Sequence, residues 1–403
     1  MTTADSLSSG TPILDRAAPL PEPVAPSAGT RVLFGTGIAL CVAIVALLVL
    51  RHPPFVESLH KWALSQFAQL FPDSLTPAGI VFVGVIGILI GFSVTAIHEL
   101  GHLIVGVLVG FRCNSLFLGP LQFNAPFGLS LNPDPRSWWH GGVTLVPDKP
   151  EKIRAGAIAM VFAGPAANLL TGCAILLLPY TKGFFSWLFV VASLLAGVIE
   201  LILPIRGPTF VFDGRRIWML LWDRGRGERW LALMKLIADT RDGVSPELMS
   251  PDLLAKATAV RDDSADSVTA HLLAFSAAFH QHRDGEAAER LETCLAHSEL
   301  VPAVVREALM SECAVFQARR RKRPDLAEQW LAGIPANTQH RWLRSRAEAA
   351  ILESKGDVPG ALGKLDEVEA TFLTFPRNLQ RENLLRLLQR WRSELGRSSG
   401  EAS

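Results

Sequence analysis

Residues 75–111 read LTPAGIVFVGVIGILIGFSVTAIHELGHLIVGVLVGF, an apolar run interrupted by His98, Glu99 and His102. Ionisable side chains are costly at membrane depth, and where they occur there they usually have a function. Histidines four residues apart share one face of a helix, so both imidazoles can reach one zinc ion. The run therefore predicts a membrane helix with two zinc ligands, and with Glu99 as the general base toward metal-bound water. The alternative is a histidine pair satisfied by neighbouring helices, with Glu99 at an interface.

Composition divides the 403-residue chain into an apolar part and a charged part. Hydrophobic residues make up 49% of the sequence, and the mean hydropathy of +0.28 is high for a soluble protein. They concentrate between Arg31 and Arg206, whereas the chain beyond Asp213 is rich in charged residues. The net charge of +1 provides no global field for nucleic acid, and the basic run 319–323 is typical of a solvated face. We expect a membrane half followed by a soluble half, with no nucleic-acid partner.

The five cysteines indicate how a metal could be held. They are scattered, odd in number and contain no CxxC pair, so neither a disulfide framework nor a thiolate zinc site is predicted. Any metal must be held by histidine and carboxylate.

Four stretches are long and apolar enough to cross a bilayer, which takes about 20 residues. They are Val32–Leu50, Leu75–Ile97, Ala155–Thr181 and Gly183–Ile205. The distribution of Lys and Arg places both termini and the 111–154 loop in the cytoplasm. Residues 53–73 are then on the outer face, where they predict an interfacial amphipathic helix. We expect a multi-pass protein of the bacterial cytoplasmic (inner) membrane, in contact with the lipid bilayer.

A third protein ligand is needed to leave one coordination position open for water. Asp213 follows the fourth predicted span on the cytoplasmic side, where the helix with the two histidines also ends. An ordinary Asp-Gly turn is the alternative interpretation of Asp213-Gly214. Glu200, near the end of the fourth apolar stretch, is the rival ligand.

The sequence Ala163-Gly164-Pro165-Ala166-Ala167-Asn168 begins within the third predicted span. Gly164 and Ala167 allow close helix packing in lipid, and Pro165 frees a backbone carbonyl. Helix packing with a proline kink is the simple interpretation. The functional one gives Asn168 a hydrogen bond to the substrate carbonyl or to the developing oxyanion.

Three motifs occur together in this chain: HExGH at His98–His102, A-G-P-x-x-N at Ala163–Asn168, and L-x-P…D-G at Leu203-Pro204 and Asp213-Gly214. With them the chain resembles, over roughly residues 78–220, the site-2 protease family of intramembrane zinc metalloproteases. The resemblance implies a catalytic Zn²⁺ held by His98, His102 and Asp213, with Glu99 as base. It also implies cleavage of membrane-protein substrates in or near a transmembrane helix.

The loop at 111–154 is similar to the glycine-rich β-hairpin region of that family, through Gly119-Pro120 and Gly141-Gly142. An unwound substrate segment could add there as a β-strand. The fold class expected for the first half is thus an all-α polytopic membrane protein with about four transmembrane helices and a small β-hairpin loop between the motif helices.

The second half predicts a soluble α-helical domain. Each of three segments reads as two amphipathic helices joined by a polar turn: Ala270–His297, Ala303–Ile334 and Arg341–Phe372. Their spacing of roughly 34–40 residues resembles tetratricopeptide-type hairpins. An irregular helical bundle is the alternative. Either form predicts a protein partner for this domain or a role in regulating access.

The predicted domains are a flexible tail at 1–30, a membrane-embedded metalloprotease domain at 31–222, a helical domain at 226–395 and a disordered tail at 396–403. The leading functional hypothesis is an intramembrane zinc endopeptidase. One alternative is a catalytically silent membrane scaffold that presents the helical domain to a partner. A zinc transporter is disfavoured, because further intramembrane acidic or histidine sites along a path are missing from the sequence.

Overall fold

The computed structural model describes residues 12–17, 20, 77–124, 128–131, 141–148, 153–178, 184–202, 212–260, 262–338, 340–375, 377 and 379–400. The chain forms two compact units, one of residues 26–227 and one that joins residues 1–25 to residues 228–403. The predicted span Val32–Leu50, the predicted amphipathic helix at 53–73 and the Leu203-Pro204 motif lie outside the described residues.

Helices are numbered along the chain, so α1 (Ile13–Arg16) is described with the second unit, to which it belongs. The described part of the first unit contains α2 (Pro77–Leu108), α3 (Ile153–Leu177), α4 (Phe184–Ile202) and α5 (Asp213–Trp222). Helix α3 packs against both α2 and α4, and α5 packs against α3 and α4. These contacts make α3 the central helix of the described part of this unit.

Two of these helices, over Val81–Leu108 and Ile153–Leu177, are long and apolar enough to cross a membrane. Helix α4 contains a shorter apolar segment, Phe185–Leu201. Helix α2 runs unbroken past His102, whereas the sequence ended the second span at Ile97, because the imidazoles face α3 and do not interrupt the helix. The number of spans, predicted as four, stays a prediction.

A small antiparallel sheet lies between α2 and α3 in the chain. Its strands are β1 (Phe111–Leu118), β2 (Leu121–Asn124), β3 (Gly128–Leu131) and β4 (Gly141–Pro147), in the order β3-β2-β1-β4. The predicted hairpin is present as β1 and β2, paired from Leu118 and Leu121 outward around Gly119-Pro120. The sheet is larger than predicted, because β4 also pairs with β1 along its whole length. Strand β4 lies at one edge, with β1 as its strand neighbour among the described elements.

The second unit is helical. After α1 it continues with α6 (Arg224–Arg241), α7 (Pro251–Thr258), α8 (Ala265–His280), α9 (Asp284–Ala296), α10 (Ala303–Arg319), α11 (Pro324–Ala332), α12 (Arg341–Ser354), α13 (Val358–Thr374) and α14 (Leu379–Gly400). Helix α6 begins four residues before the boundary between the two units. Each segment that predicted a helix pair contains one, as α8–α9, α10–α11 and α12–α13, and the members of each pair pack against each other. The likeness to tetratricopeptide repeats stays a prediction.

Helices occur within parts of both predicted tails. Within residues 1–30, which were predicted to be flexible, α1 is held against the helical unit with Leu14 only 2% exposed. Within residues 396–403, which were predicted to be disordered, α14 continues to Gly400. Burial of Leu14 stabilises α1, and burial of Trp391 and Leu395 stabilises α14, because each removes apolar surface from water.

An ion pair in the second unit provides a test of its packing. Arg229 is 1% exposed, and its guanidinium donates to both carboxylate oxygens of Asp262, at 2.6 and 3.3 Å. Asp262→Ala leaves that buried charge unpaired, so we expect it to lower the free energy of unfolding by about 3–5 kcal/mol. Denaturant unfolding of the purified protein in detergent measures the change.

The matched control is Glu328→Ala, because Glu328 pairs with Lys355 where both side chains are about half exposed. That variant should change the free energy of unfolding by about 0–1 kcal/mol. Equal effects of the two substitutions would contradict a structural role for the buried pair.

Candidate metal centre

Three side chains converge on one point between α2 and α5. His98 and His102 lie one turn apart on α2, with ring centroids 4.7 Å apart and ring planes at 86°. Their Nε2 atoms are 3.1 Å apart. Asp213, the first residue of α5, places Oδ2 at 3.2 Å from Nε2 of His98 and at 3.1 Å from Nε2 of His102. The three atoms form a nearly equilateral triangle.

The triangle fits a zinc ion. With zinc–ligand bonds of about 2.0–2.1 Å, two ligands of a tetrahedral ion lie about 3.3 Å apart, close to the 3.1–3.2 Å between these atoms. Imidazole nitrogen and carboxylate oxygen are also the donors that zinc accepts. Three acceptor atoms this close repel one another unless a cation or shared protons lie between them. His98, His102 and Asp213 are therefore the residues that would hold the metal.

The ring of His102 is fixed from α3. Its Nδ1 lies 2.8 Å from the backbone carbonyl oxygen of Met160, to which Nδ1–H donates. In a neutral imidazole this bond leaves Nε2 as the unprotonated, metal-binding nitrogen. The ring fits because α3 has no side chain at Gly164, where a Cβ would lie 2.4 Å from Nε2. The sequence assigned Gly164 to helix packing, but its closest neighbour is the ligand itself.

The ring of His98 contacts Asn168. The side-chain amide of Asn168 lies 3.4 Å from Nδ1 of His98, and Asn168 is 1% exposed. An asparagine side chain can present either its oxygen or its nitrogen at the same place. With Oδ1 toward His98 it accepts the Nδ1–H proton and leaves Nε2 of His98 for a metal. This contact supports a role in orienting the ligand, whereas the sequence favoured a contact with substrate.

Asp213 is held by the end of α4. Its backbone N–H donates to Oε2 of Glu200 at 3.4 Å, so the rival ligand contacts the main chain of Asp213, and Asp213 is the carboxylate that joins the histidines. The next residue, Gly214, packs so closely that a Cβ would lie 2.1 Å from the carbonyl oxygen of Leu201.

Glu99 lies beside the triangle and under strand β4. A Cβ at Gly141 would be 3.0 Å from Cγ of Glu99, and the backbone of Val143 hydrogen-bonds to the Glu99 carboxylate. Glu99 is therefore outside the ligand group but next to it, the place that a general base requires. The contacts with Met160 and β4 were missed from the sequence, because backbone atoms supply them and no residue pattern marks them.

Gly164→Ala tests the fit of the His102 ring. The new Cβ must displace the imidazole, so we expect zinc affinity to fall by at least about tenfold, the scale of disturbing a ligand's support. Zinc content of the purified protein and competition with a chelator measure it. Gly91→Ala on α2 is the control, because nothing lies within 4 Å of the added Cβ. Equal zinc affinity of the two variants would contradict the packing described here.

Asn168→Ala tests whether Asn168 orients His98. Loss of the acceptor for Nδ1–H should weaken zinc binding by about 10–100-fold, while Asn168→Asp, which keeps an acceptor oxygen, should retain most of the affinity. Both are measured by chelator competition. Unchanged zinc affinity in Asn168→Ala together with a lower kcat would instead support a contact with the substrate oxyanion.

Comparison with known proteins agrees with this geometry. Residues 85–184 match the sequence model of peptidase family M50. The matched segment contains both histidines, Glu99 and Asn168, and it ends before Asp213. No curated protein and no solved structure matches the chain. Over residues 85–184 the chain is thus similar to peptidase family M50, the site-2 protease family, and the described residues add a His98-His102-Asp213 group that could hold a metal ion.

Proposed function

We propose that this protein is an intramembrane zinc endopeptidase that cleaves peptide bonds in or near transmembrane segments of membrane-protein substrates. The observation that carries the proposal is the convergence of His98, His102 and Asp213 within 3.1–3.2 Å of one another beside the apolar helices. The family match supports the same class of activity, since family M50 comprises membrane metallopeptidases.

The proposed hydrolysis would use a metal ion for polarisation and the side chains of the protein for proton transfer. A zinc ion held here would supply Lewis-acid polarisation of the attacking water and of the scissile carbonyl. Glu99 accepts one proton from the attacking water as its oxygen bonds to the carbonyl carbon. The same carboxyl then gives that proton to the departing nitrogen as the C–N bond breaks, so Glu99 ends in its starting state. His102, fixed by Met160, and His98, beside Asn168, would present their Nε2 atoms to this ion.

Strand β4 is the place we propose for the substrate. A transmembrane helix hides its scissile carbonyl in its own hydrogen bonds, so it must unwind before cleavage. An unwound segment can add to the edge of a sheet through main-chain hydrogen bonds. Strand β4 is an edge strand, and its residues Gly141 and Val143 contact Glu99. A strand added beside β4 would therefore run close to the general base.

Placement in the membrane follows from charge and aromatic residues. We propose four spans in a bacterial cytoplasmic membrane, with both termini in the cytoplasm, on the basis of the Lys and Arg distribution. Helix α5 supports an interfacial position for the metal centre. Its Trp218 and Trp222 are 54% and 66% exposed, and tryptophan is enriched where membrane meets water. Asp213 begins this helix, so the centre lies near the cytoplasmic surface.

Glu99→Gln tests the activity. The amide cannot accept a proton, so cleavage of membrane-protein substrates should fall by at least about 10²–10⁴-fold, the usual contribution of a positioned general base. Zinc content should stay stoichiometric, because Glu99 is outside the ligand group. Membrane peptides that accumulate with Glu99→Gln, identified by mass spectrometry, would reveal the substrates.

Glu328→Gln makes the same chemical change in the helical unit and is expected to keep full activity. Full cleavage by Glu99→Gln would contradict the proposal. Protein purified without stoichiometric zinc, together with unchanged cellular function of His98→Ala, would favour the silent scaffold instead.

A further inference from the structure

A groove in the helical unit is filled by the chain's own N-terminal segment. Helix α1 lies against α9, α10 and α11, and the residues it contacts are 279–316 positions away in sequence. Leu14 is 2% exposed and belongs to the main apolar cluster of the unit. Ile13, Ala17 and Leu20 pack at the edge of that cluster. The segment is thus bound as a ligand would be, through one inserted side chain.

Glu292 of α9 recognises the main chain at the start of α1. Its Oε1 accepts from the backbone N–H of Ile13 at 2.7 Å, and its Oε2 accepts from that of Leu14 at 2.9 Å. The first N–H groups of a helix have no partner within the helix, and a carboxylate also interacts favourably with the positive end of the helix dipole. Any peptide that begins a helical turn can make these two bonds.

Two buried donors recognise the carbonyl of Leu14. Nε2 of Gln317 on α10 donates to it at 2.9 Å, and Nε1 of Trp330 on α11 donates at 3.1 Å. Gln317 is 0% exposed and Trp330 is 2% exposed. A buried donor without an acceptor costs about 1–3 kcal/mol. The groove therefore requires a carbonyl at this position, whichever chain supplies it.

Asp15 adds a charge requirement. Its Oδ1 pairs with Arg321, with Arg323 at 3.3 Å and with Nε2 of Gln317 at 3.3 Å. Both arginines belong to the basic run 319–323, which the sequence assigned to a solvated face. In the structure this run forms the turn between α10 and α11, and two of its guanidinium groups face the carboxylate of the inserted segment.

We propose that this groove is a peptide-binding site for a short segment of apolar–Leu–acidic sequence, and that Ile13–Asp15 is its intramolecular ligand. The site binds a peptide backbone at three atoms, one leucine and one carboxylate. A protein partner that carries the same three-residue pattern displaces Ile13–Asp15 and binds in its place. We call the N-terminal segment that contains Ile13–Asp15 the tail. The proposal concerns the helical unit and does not depend on peptidase activity.

Tethering decides when the groove is available to such a partner. A segment that belongs to the same chain as its site competes with a free peptide at an effective concentration set by the length and stiffness of the chain that joins them. A free peptide must therefore compete with the tail in the intact protein, and it binds readily once the tail is displaced. The tail sets the threshold concentration for the partner.

The test uses the full-length protein in detergent and a fluorescein-labelled peptide with the sequence of residues 10–18, GTPILDRAA. Leu14→Asp in the protein places a charge in the apolar cluster and vacates the groove. We expect the peptide to bind this variant at least about tenfold more tightly than the wild type, as measured by fluorescence anisotropy, because the tethered copy no longer competes. A peptide with Ala in place of the leucine should not bind.

Charge reversal tests the specificity. Arg321→Glu with Arg323→Glu, added to Leu14→Asp, should weaken binding of the original peptide by about tenfold, and a peptide with Lys in place of the aspartate should recover it. Asp15→Lys provides a second, milder way to vacate the groove, because it leaves Leu14 unchanged. A cooperative unfolding transition of each variant without peptide shows that the variant is folded.

Equal affinity of the peptide for wild type and both tail variants would overturn the proposal, because the site would then lie elsewhere. No binding to either folded tail variant would also overturn it and would leave α1 a fixed structural element. Failure of the lysine peptide to recover binding would remove the charge requirement.

Discussion

The close approach of α3 to the imidazole of His102 is the constraint on which the metal centre depends. The absence of a side chain at Gly164 lets the ring lie directly against α3. In that position Nδ1 meets the carbonyl oxygen of Met160, and the bond determines which nitrogen is left for the metal. Asp213 then meets a ring whose orientation and tautomer are already fixed. A shift of α3 along α2 would therefore disturb the position of the His102 ring, its bond to Met160 and its approach to Asp213 at the same time.

Charge balance gives a second reason for the arrangement. Two carboxylates, Asp213 and Glu99, lie beside apolar helices, where an uncompensated charge is expensive. A divalent cation held by Asp213 and two neutral histidines would offset both negative charges. Glu200 brings a further carboxylate close to the centre, and the backbone N–H of Asp213 contacts it. Each of these charged groups would cost free energy if it were buried beside the apolar helices without the others.

The sequence predicted the parts of this protein that depend on local spacing. Local spacing predicted the histidine pair on one helix face, the long apolar helices and the three helix pairs of the second unit. In each case the pattern of residues follows the period of an α-helix. It could not choose between Asp213 and Glu200, because the choice depends on how the start of α5 meets the end of α4. It also missed β4 as a partner of β1, since the two strands are about 20 residues apart in the chain. No periodic sequence pattern predicts that Leu14 packs against residues about 300 positions further along the chain.

The separation of the ligands along the chain has a consequence for biosynthesis. His102 and Asp213 are 111 positions apart, and the second of them begins α5, after the apolar helices α3 and α4. Ribosomes add about 5–20 residues per second, so roughly 6–20 s pass between the two ligands. During that interval the nascent chain carries both histidines and Glu99 but lacks the carboxylate that completes the site. Until α5 has left the ribosome, the chain therefore holds only two of the three side chains that could bind the metal.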